Sequence, residues 1–180
     1  YNMKKAGCIG IKFGMESGDP EILKNINKPL HLNRLESLLK VCTRLGLKTH
    51  VSVSFGHIGE TEATIRSTMK YATKLDTDSI QFSLATPYPG TRFYAEVVAQ
   101  GMLAAATWED YDPTHNPIVQ LPGVTREVLK HTESKAHGTW LRHKVLKPAW
   151  LYRQAGFLIY ILRRQGIGGL FSRLKRAYDI

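Results

Sequence analysis

The sequence contains little cysteine: Cys8 and Cys42 are the only two among its 180 residues. Two cysteines this far apart exclude a disulfide framework and a cysteine-rich metal site, and they predict a reducing, cytoplasmic compartment. Long apolar runs are also missing, since the longest, 155–162, falls short of the roughly 18 residues that a membrane-spanning helix needs. The chain shows no secretory signal and begins as if within a structural element, so we expect a fragment of a longer protein.

Complete signatures of two common enzyme classes are absent as well. The segment 14–18 has its serine in the wrong position for the Gly-x-Ser-x-Gly nucleophile elbow, and 56–61 lacks the lysine of a phosphate-binding P-loop. The seven histidines do not follow the spacing of metal ligands such as His-Glu-x-x-His. The sequence therefore indicates neither a hydrolase nor a P-loop ATPase, and we predict no metal ligand within it.

The net charge of +10 is concentrated at the C-terminal end. Residues 1–125 hold 13 Lys and Arg against 12 Asp and Glu, whereas 126–180 hold 12 against 3. A basic segment of this kind suits an anionic partner such as a membrane surface or a nucleic acid. The charge carries no information about the chemistry of the near-neutral first 125 residues.

Apolar periodicity predicts strands that alternate with helices. Short apolar or alternating segments at 9–15, 47–55 and 79–84 predict three strands, and helical spacing follows each of them. The most periodic helix is expected to be capped at its start by Asn33 and to end before Gly46. Strands separated by connections of this length are predicted to be parallel and joined by right-handed crossovers.

One side of the second and third predicted strands is polar. A doubly wound sheet buries both of its faces, so it does not fit this pattern. A barrel whose interior binds a polar ligand fits it better, although three strands are too few to close a barrel. We therefore expect the other strands to precede Tyr1.

The loops after the predicted strands all carry glycine and polar groups. In parallel α/β folds the carboxyl ends of the strands are where ligands bind, so we predict one composite site with no assigned catalytic residue. Each of these residues alone is equally typical of a turn or a helix start. The candidates are Glu16, Ser17, Ser52, Ser54, Gly56, Gly59, Glu60, Gln81, Ser83 and Thr86.

Four segments in order resemble a known family. Lys12–Gly18, Asn27–Lys28, Phe55–Thr61 and Gln81–Thr91 are similar to the C-terminal half of the barrel of radical S-adenosylmethionine (SAM) enzymes. The last segment, with Ala-Thr-Pro-Tyr-Pro-Gly-Thr, resembles in particular the branch that carries an N-terminal cobalamin (B12)-binding domain. The resemblance covers residues 1–103.

The resemblance implies a fold, cofactors and a reaction. The fold is α/β: the C-terminal half of a partial (β/α)6, TIM-like barrel, followed by a helical basic tail. The reaction is cleavage of SAM at a 4Fe-4S cluster, by a cobalamin-dependent methyltransferase or a related radical enzyme. The family holds the cluster through a Cys-x3-Cys-x2-Cys loop that this sequence lacks, and Ile58 stands where relatives usually have proline. We therefore expect the cluster ligands and the cobalamin domain outside this chain, which alone is expected to be inactive.

The resemblance also implies roles for single residues. Glu16 and Ser17 would contact the ribose or amino group of SAM, and Lys28 would pair with its carboxylate. The segment 56–60 would shape the adenine site through its backbone, and 86–90 would close the pocket. The residues expected to bind the cofactor are Glu16, Ser17, Lys28, Ser52, Ser54, Gly56, Gly59, Glu60, Gln81, Ser83, Thr86 and Pro87.

We predict three segments along the chain: half a barrel at 1–103, a crossing loop at 104–125 and a basic helical extension at 126–180. Apolar residues between Ile167 and Tyr178 recur on one face of a predicted helix, away from the basic residues. This pattern is typical of a helix that lies in a membrane surface, and contact of 150–180 with the inner membrane surface would suit a lipid-like substrate. Docking of the same residues on the rest of the protein is the alternative.

Three functions stay open. The chain could belong to a radical SAM enzyme, to a non-catalytic SAM-binding or scaffold remnant of that family, or to a basic module that binds nucleic acid or membranes. Only the tail supports the third, and no nucleic-acid motif accompanies it, so nucleic acid is not expected as a partner. The expected partners are the missing N-terminal half of the same polypeptide and a small-molecule or lipid-like substrate.

Overall fold

The computed structural model of the protein describes residues 1–105, 107–112, 116–156, 159, 162–163 and 166–168. Contacts divide the chain into two compact units, 1–141 and 142–180. The first unit holds the sheet and the helices that follow its strands. The predicted boundaries at 103 and 125 stay a prediction.

The first unit is an α/β fold, as the sequence predicts. Its strands are β1 (Gly10–Glu16), β2 (Lys48–Phe55) and β3 (Ser79–Leu84). Its helices are α1 (Asn2–Lys5), α2 (Pro20–Asn25), α3 (Leu32–Arg44), α4 (Glu62–Lys74), α5 (Arg92–Ala99) and the start of α6 (Arg126–Val145), with one 3₁₀ turn at Trp108–Asp110.

The three strands form one parallel sheet in the order β1-β2-β3. Parallel neighbours with helical crossovers of one hand leave the helices on the same side of the sheet. The apolar side of the sheet is buried, with Val51, Val53 and Phe82 nearly inaccessible and the rings of Phe55 and Phe82 stacked 5.9 Å apart. Because only this side of the sheet is buried among apolar residues, apolar and polar residues alternate along each strand.

The other side of the sheet carries the polar residues of the predicted composite site. His50 and Ser52 of β2 are partly exposed, and Ser79 and Gln81 of β3 are exposed. Register places Gly14, Ser52 and Gln81 side by side across the three strands. The polar residues that the sequence predicts at alternate strand positions therefore form one continuous face of the sheet.

Local capping explains where the helices begin and end. Thr61 caps α4 and exchanges hydrogen bonds with Thr64 in a capping box. Gly46 adopts φ of 64° directly after α3, as predicted for the residue that stops this helix. The predicted cap Asn33 is wrong: α3 begins at Leu32, its N-cap is His31, and Asn33 already has a helical position.

A buried hydroxyl and carboxylate network joins β2 to the turn before β3. Asp78 Oδ2 accepts hydrogen bonds from the backbone N–H of Thr49 at 2.9 Å and from its hydroxyl at 3.2 Å. Thr77 donates to the carbonyl oxygen of Thr49 at 3.1 Å. Because these side chains are buried, the polar groups have no alternative partner in water, and the network fixes the amino-terminal edge of the sheet.

The segment after α5 returns across the fold. Isolated antiparallel bridges join Leu103 to Val119 and Leu121 to Val124, and Ile118, Val119 and Val124 are buried. A Cβ atom on Gly123 would lie 2.8 Å from the carbonyl oxygen of Glu60, so this return packs tightly on the loop between β2 and α4.

In the second unit, α6 ends at Val145 and a further helical stretch covers 148–156. Of the segment predicted to contact a membrane surface, 150–180, residues 157–158, 160–161, 164–165 and 169–180 lie outside the described residues. No helix within the described part of the chain is long and apolar enough to cross a membrane.

We expect Thr77→Val to lower the free energy of unfolding by about 1–3 kcal/mol, because it removes a buried hydroxyl donor that lies 3.1 Å from the carbonyl oxygen of Thr49 and 3.0 Å from that of Ser79. The matched control is Thr73→Val, whose hydroxyl bonds only a carbonyl of its own helix, with an expected loss under about 0.5 kcal/mol. Urea denaturation followed by circular dichroism measures both. Equal losses would show that the network contributes nothing.

Candidate functional site

An ion pair lies at the carboxyl end of β1. Lys28 Nζ is 3.4 Å from Glu16 Oε1, and the two side chains are 36% and 29% exposed. Both groups lie over Gly14: a Cβ atom there would come within 2.5 Å of Glu16 Oε1 and 3.1 Å of Lys28 Nζ. Glycine at this position therefore makes room for the pair, and its partial exposure leaves both charges within reach of a ligand.

A bulge in β1 directs Glu16 toward β2. Gly14 pairs with Ser52 and Glu16 pairs with Val53, so Met15 is the extra residue and is completely buried. Glu16 itself has φ of 65°, in the left-handed region that favours glycine. A non-glycine residue held there costs on the order of 1–3 kcal/mol, and such residues cluster at functional sites.

A chain of hydrogen bonds continues from the ion pair into the protein. Ser54 Oγ donates to Glu16 Oε2 at 3.2 Å and lies 2.8 Å from Nε2 of His57. Both Ser54 and His57 are buried. Lys28, Glu16, Ser54 and His57 thus form one connected polar cluster, which we call the site cluster.

His57 is neutral in this cluster at ordinary pH. Burial lowers the pKa of its imidazole from 6.5 to about 4, although the Glu16 carboxylate acts in the opposite direction. The imidazole ring also contacts Phe93, with the ring centroids 6.2 Å apart. A neutral imidazole presents one donor and one acceptor nitrogen.

Glu60 closes the loop that follows β2. One carboxylate oxygen, Oε2, accepts the backbone N–H groups of Gly56 and of His57, the latter at 3.3 Å. Glu60 is only 1% exposed, and among the described residues Oε1 has no hydrogen-bond partner. Burial raises the pKa of Glu60 from 4.5 to about 7, against the lowering effect of the two backbone N–H groups.

Ser17 faces a helix. Its hydroxyl shares a hydrogen bond of 2.9 Å with Thr68 of α4, accepts the backbone N–H of Asp19 at 3.1 Å, and is fully buried. Asp19 in turn caps α2. In this structure the serine hydroxyl therefore fixes the turn between β1 and α2.

The remaining predicted residues lie along the polar face and its edge. Gln81 accepts a hydrogen bond from Lys12 Nζ at 3.2 Å, which crosses the middle strand. Ser83 donates to the carbonyl oxygen of Val53 at 3.5 Å, and Thr86 to that of Leu84 at 3.3 Å. Pro87 is buried directly after them.

The structure thus brings Glu16, Lys28 and Ser54 together, with Ser52 and Gln81 on the same face. It places the side chains of Ser17 and Glu60 in turns behind that face. Sequence reasoning missed His57. The signal available was its position three residues after Ser54 at a strand end, which no ligand spacing marks.

The described residues contain no group of three or more His, Cys, Asp or Glu side chains that could hold a metal ion. Cys8 is partly exposed and Cys42 is buried. The site cluster therefore offers hydrogen bonds and two opposite charges.

This arrangement defines a class of fold. Three parallel strands flanked by helices match part of the TIM-like barrel of radical SAM proteins. The radical SAM methyltransferase TsrM of Kitasatospora setae, solved with cobalamin and a 4Fe-4S cluster, is 23% identical, with a TM-score of 0.51 over 73% of this chain and 27% of that chain. TsrM with its tryptophan substrate and the SAM analogue aza-SAM is 26% identical, with a TM-score of 0.50 over 64% of this chain and 24% of that chain.

The curated relatives that this chain resembles include methyltransferases. An uncharacterized methyltransferase of Pyrococcus horikoshii is 35% identical over 87% of this chain, and this chain covers 34% of that protein. The bacteriochlorophyllide d C-8(2)-methyltransferase of Chlorobaculum tepidum is 30% identical over 61% of this chain and 25% of its own length. No protein-family model matches the chain. The chain spans about a third of the length of the first relative.

Glu60→Gln is expected to change how stability depends on pH. The folded pKa of about 7 lies above the ordinary 4.5, so Glu60 stabilises the fold fully below about pH 4.5, and this contribution is lost as pH rises through about 7. Glutamine keeps an oxygen for the two N–H groups and cannot ionise. Relative to the unmodified protein, the variant should gain stability from pH 4.5 to 7, by up to about 3 kcal/mol.

Urea midpoints of both proteins at several pH values between 4.5 and 8 measure this difference. Glu62→Gln, an exposed glutamate at the start of α4, is the control and should show no such gain. A difference for Glu60→Gln that stays constant with pH would contradict a raised pKa of Glu60.

Proposed function

We propose that this chain forms the SAM-binding half of a radical SAM methyltransferase. The observation that carries the proposal is the site cluster: a carboxylate and an ammonium group, side by side and partly exposed, at the carboxyl end of parallel strands. Similarity to methyltransferases in sequence and to a radical SAM methyltransferase in fold supports the same conclusion.

The site cluster fits the amino-acid end of SAM. That end carries an ammonium group and a carboxylate, so it is complementary to Glu16 and Lys28. A bound zwitterion would exchange the existing pair for two new charge-assisted pairs, without leaving either side chain unpaired. We propose that Glu16 binds the ammonium group and Lys28 the carboxylate.

The polar face fits the ribose, and the adjoining loops fit the base. The hydroxyl of Ser52 is partly exposed on the polar face and can meet a ribose hydroxyl. The loop at 56–60 presents backbone, with Gly56 and Gly59 at φ of 101° and 86°, and Thr86 and Pro87 lie after the next strand. Ile58 is partly exposed and Gly59 exposed in this loop, so we propose that the backbone at these two positions meets the adenine edge. Gln81 and Ser83 complete the proposed contact set on β3.

SAM bound here would supply the methyl group, or after reductive cleavage the radical, on which the reaction depends. The residues of this chain bind and orient it. Glu16 and Lys28 fix its charged end, and the buried His57 and Ser54 exclude water behind Glu16. The described residues do not fit a 4Fe-4S cluster, so we propose that other segments of the full-length polypeptide hold the cluster and cobalamin.

A cluster of aromatic rings near the end of β3 supports a planar aromatic substrate. Tyr88 stacks on Tyr111 with centroids 5.9 Å apart, and Trp108 contacts Tyr111 at 5.1 Å. Trp108 is 69% exposed and Tyr88 45% exposed, so both rings have a free surface. Two of the methyltransferases named above act on a bacteriochlorophyllide and on tryptophan, which are planar and aromatic. A lipid-like substrate is the alternative, with the membrane contact of 150–180 as its support.

We expect Lys28→Met to weaken SAM binding by the full-length protein at least about 10-fold, because a charge-assisted hydrogen bond contributes roughly 1.5–3 kcal/mol. Glu16→Gln should weaken it to a similar extent. The matched control is Lys24→Met on α2, which removes the same charge from an exposed side chain and should change affinity less than about 2-fold.

Isothermal titration calorimetry of SAM into each variant gives the three affinities. Circular dichroism melting of the same samples separates lost binding from lost folding. Equal weakening by Lys24→Met and Lys28→Met would mean that Lys28 acts only through the overall charge, and the proposed carboxylate contact would be wrong.

Tryptophan fluorescence of the full-length protein distinguishes a planar aromatic substrate from a lipid-like one. Trp140 and Trp150 are 2% and 9% exposed, so of the three tryptophans in this chain Trp108 is the one that a planar ligand at the aromatic cluster can contact. We expect saturable quenching by a tetrapyrrole dicarboxylate and none by an isoprenoid diphosphate. Trp108→Phe should remove the part of the quenching that Trp108 contributes; quenching of the same size in this variant would place the ligand elsewhere.

A further inference from the structure

We propose that His57 is a positioning residue: as the tautomer with hydrogen on Nε2, it orients the Ser54 hydroxyl so that Ser54 donates to the Glu16 carboxylate. The inference rests on the proposed function only where it treats Glu16 as a ligand-binding group. The hydrogen-bond arrangement itself is a property of the chain without ligand.

The tautomer follows from counting hydrogens. Ser54 Oγ is within hydrogen-bond distance of two groups, Glu16 Oε2 at 3.2 Å and His57 Nε2 at 2.8 Å, and a hydroxyl has one hydrogen. An ionised carboxylate only accepts, so the hydroxyl hydrogen must go to Glu16. Nε2 of His57 must then donate to Ser54.

The opposite arrangement leaves a repulsive contact. If Ser54 donated to an unprotonated Nε2, its lone pairs would face the carboxylate oxygen at 3.2 Å with no hydrogen between them. Both Ser54 and His57 are buried, so an unsatisfied contact between Ser54 and Glu16 would be costly. The Nε2–H form satisfies all three groups.

The surroundings of His57 keep the ring neutral and fixed. A cavity of about 200 Å³ lies beside it, and its lining includes the apolar side chains of Ile26, Ile58 and Phe93 together with Asn25, Arg92 and Glu96. Burial disfavours the imidazolium, in agreement with the lowered pKa of about 4. With a single N–H in the neutral ring, its placement on Nε2 decides which way the Ser54 hydroxyl turns.

Charged groups approach His57 from three directions. Glu16 lies on β1 beyond Ser54, with Lys28 behind it. Glu60 accepts the backbone N–H of His57 from within the same loop. Arg92 and Glu96 of α5 line the cavity and form an ion pair with each other. Of these, Glu16 is the group joined to the imidazole through a hydroxyl, so it is the group that His57 controls.

Variants of His57 and Ser54 test this role in SAM binding by the full-length protein. His57→Gln keeps an N–H donor and should bind SAM within about 3-fold of the unmodified protein. Ser54→Ala removes the donor to Glu16, and His57→Leu removes the group that orients this donor; each should weaken binding by about 10-fold. His57→Leu and Ser54→Ala affect the same hydrogen bond, so their losses should not add. The double variant that combines them should bind SAM no more weakly than Ser54→Ala alone.

Nuclear magnetic resonance of the unliganded chain reports the tautomer of His57 directly, and a purely structural role of His57 would not fix this tautomer. Long-range ¹⁵N–¹H spectra distinguish the two neutral tautomers of histidine, and we expect the Nε2–H pattern for His57 at pH 7. Ser54→Ala removes the acceptor of this N–H and should allow the Nδ1–H form to appear. A predominant Nδ1–H pattern in the unmodified chain would overturn the proposal, whatever the variants do.

The two proposals fail in different ways. If the unmodified full-length protein does not bind SAM but His57 shows the Nε2–H pattern, the proposed function is wrong and the positioning role of His57 remains. If SAM binds and the double variant shows additive losses, His57 does not act through Ser54 and the positioning role is wrong.

Discussion

The geometry of the candidate site depends on the bulge at the end of β1. Met15 has an apolar side chain that becomes fully buried when it is inserted as an extra residue. This insertion rotates Glu16 into a left-handed conformation and directs its carboxylate across the sheet to Ser54. Burial of a methionine side chain contributes about 1.5–3 kcal/mol, enough to offset the cost of the strained backbone.

The ion pair in the site cluster restricts the charges that a ligand can carry. Glu16 and Lys28 already satisfy each other, so a ligand gains only the difference between the new pairs and the old one. A purely anionic or purely cationic ligand would leave one of the two side chains without its partner. A zwitterion replaces both contacts at once, which is why the cluster selects for a ligand with both charges close together.

Much of the fold could be predicted from the sequence because each strand has one apolar and one polar side. Alternation in 47–55 and 79–84 located β2 and β3 to within one residue. The same alternation predicted the polar face, since nothing but exposure or a polar ligand explains Ser52 and Gln81 at those positions. The cap of α3 was misplaced because Asn33 is a common cap, whereas the N-cap in the structure is His31, two residues earlier.

Side-chain directions in the loops could not be predicted in this way. Ser17 bonds to Thr68, which is 51 residues away, and Glu60 turns back to the N–H groups of its own loop. Such contacts depend on the packing of a helix against a turn, and no local spacing specifies them. His57 was missed for the same reason: its relation to Glu16 exists only through Ser54 and the bulge.

The loop at 56–60 combines two opposite pKa shifts three residues apart. In an unfolded chain at about pH 5.5, the histidine would be protonated and the glutamate ionised, given their ordinary values of 6.5 and 4.5. In the folded chain, with pKa values of about 4 and about 7, both groups are neutral. Folding therefore transfers one proton from the imidazole to the carboxylate with almost no exchange with solvent. Near this pH the loop therefore buries its two ionisable groups as a neutral couple.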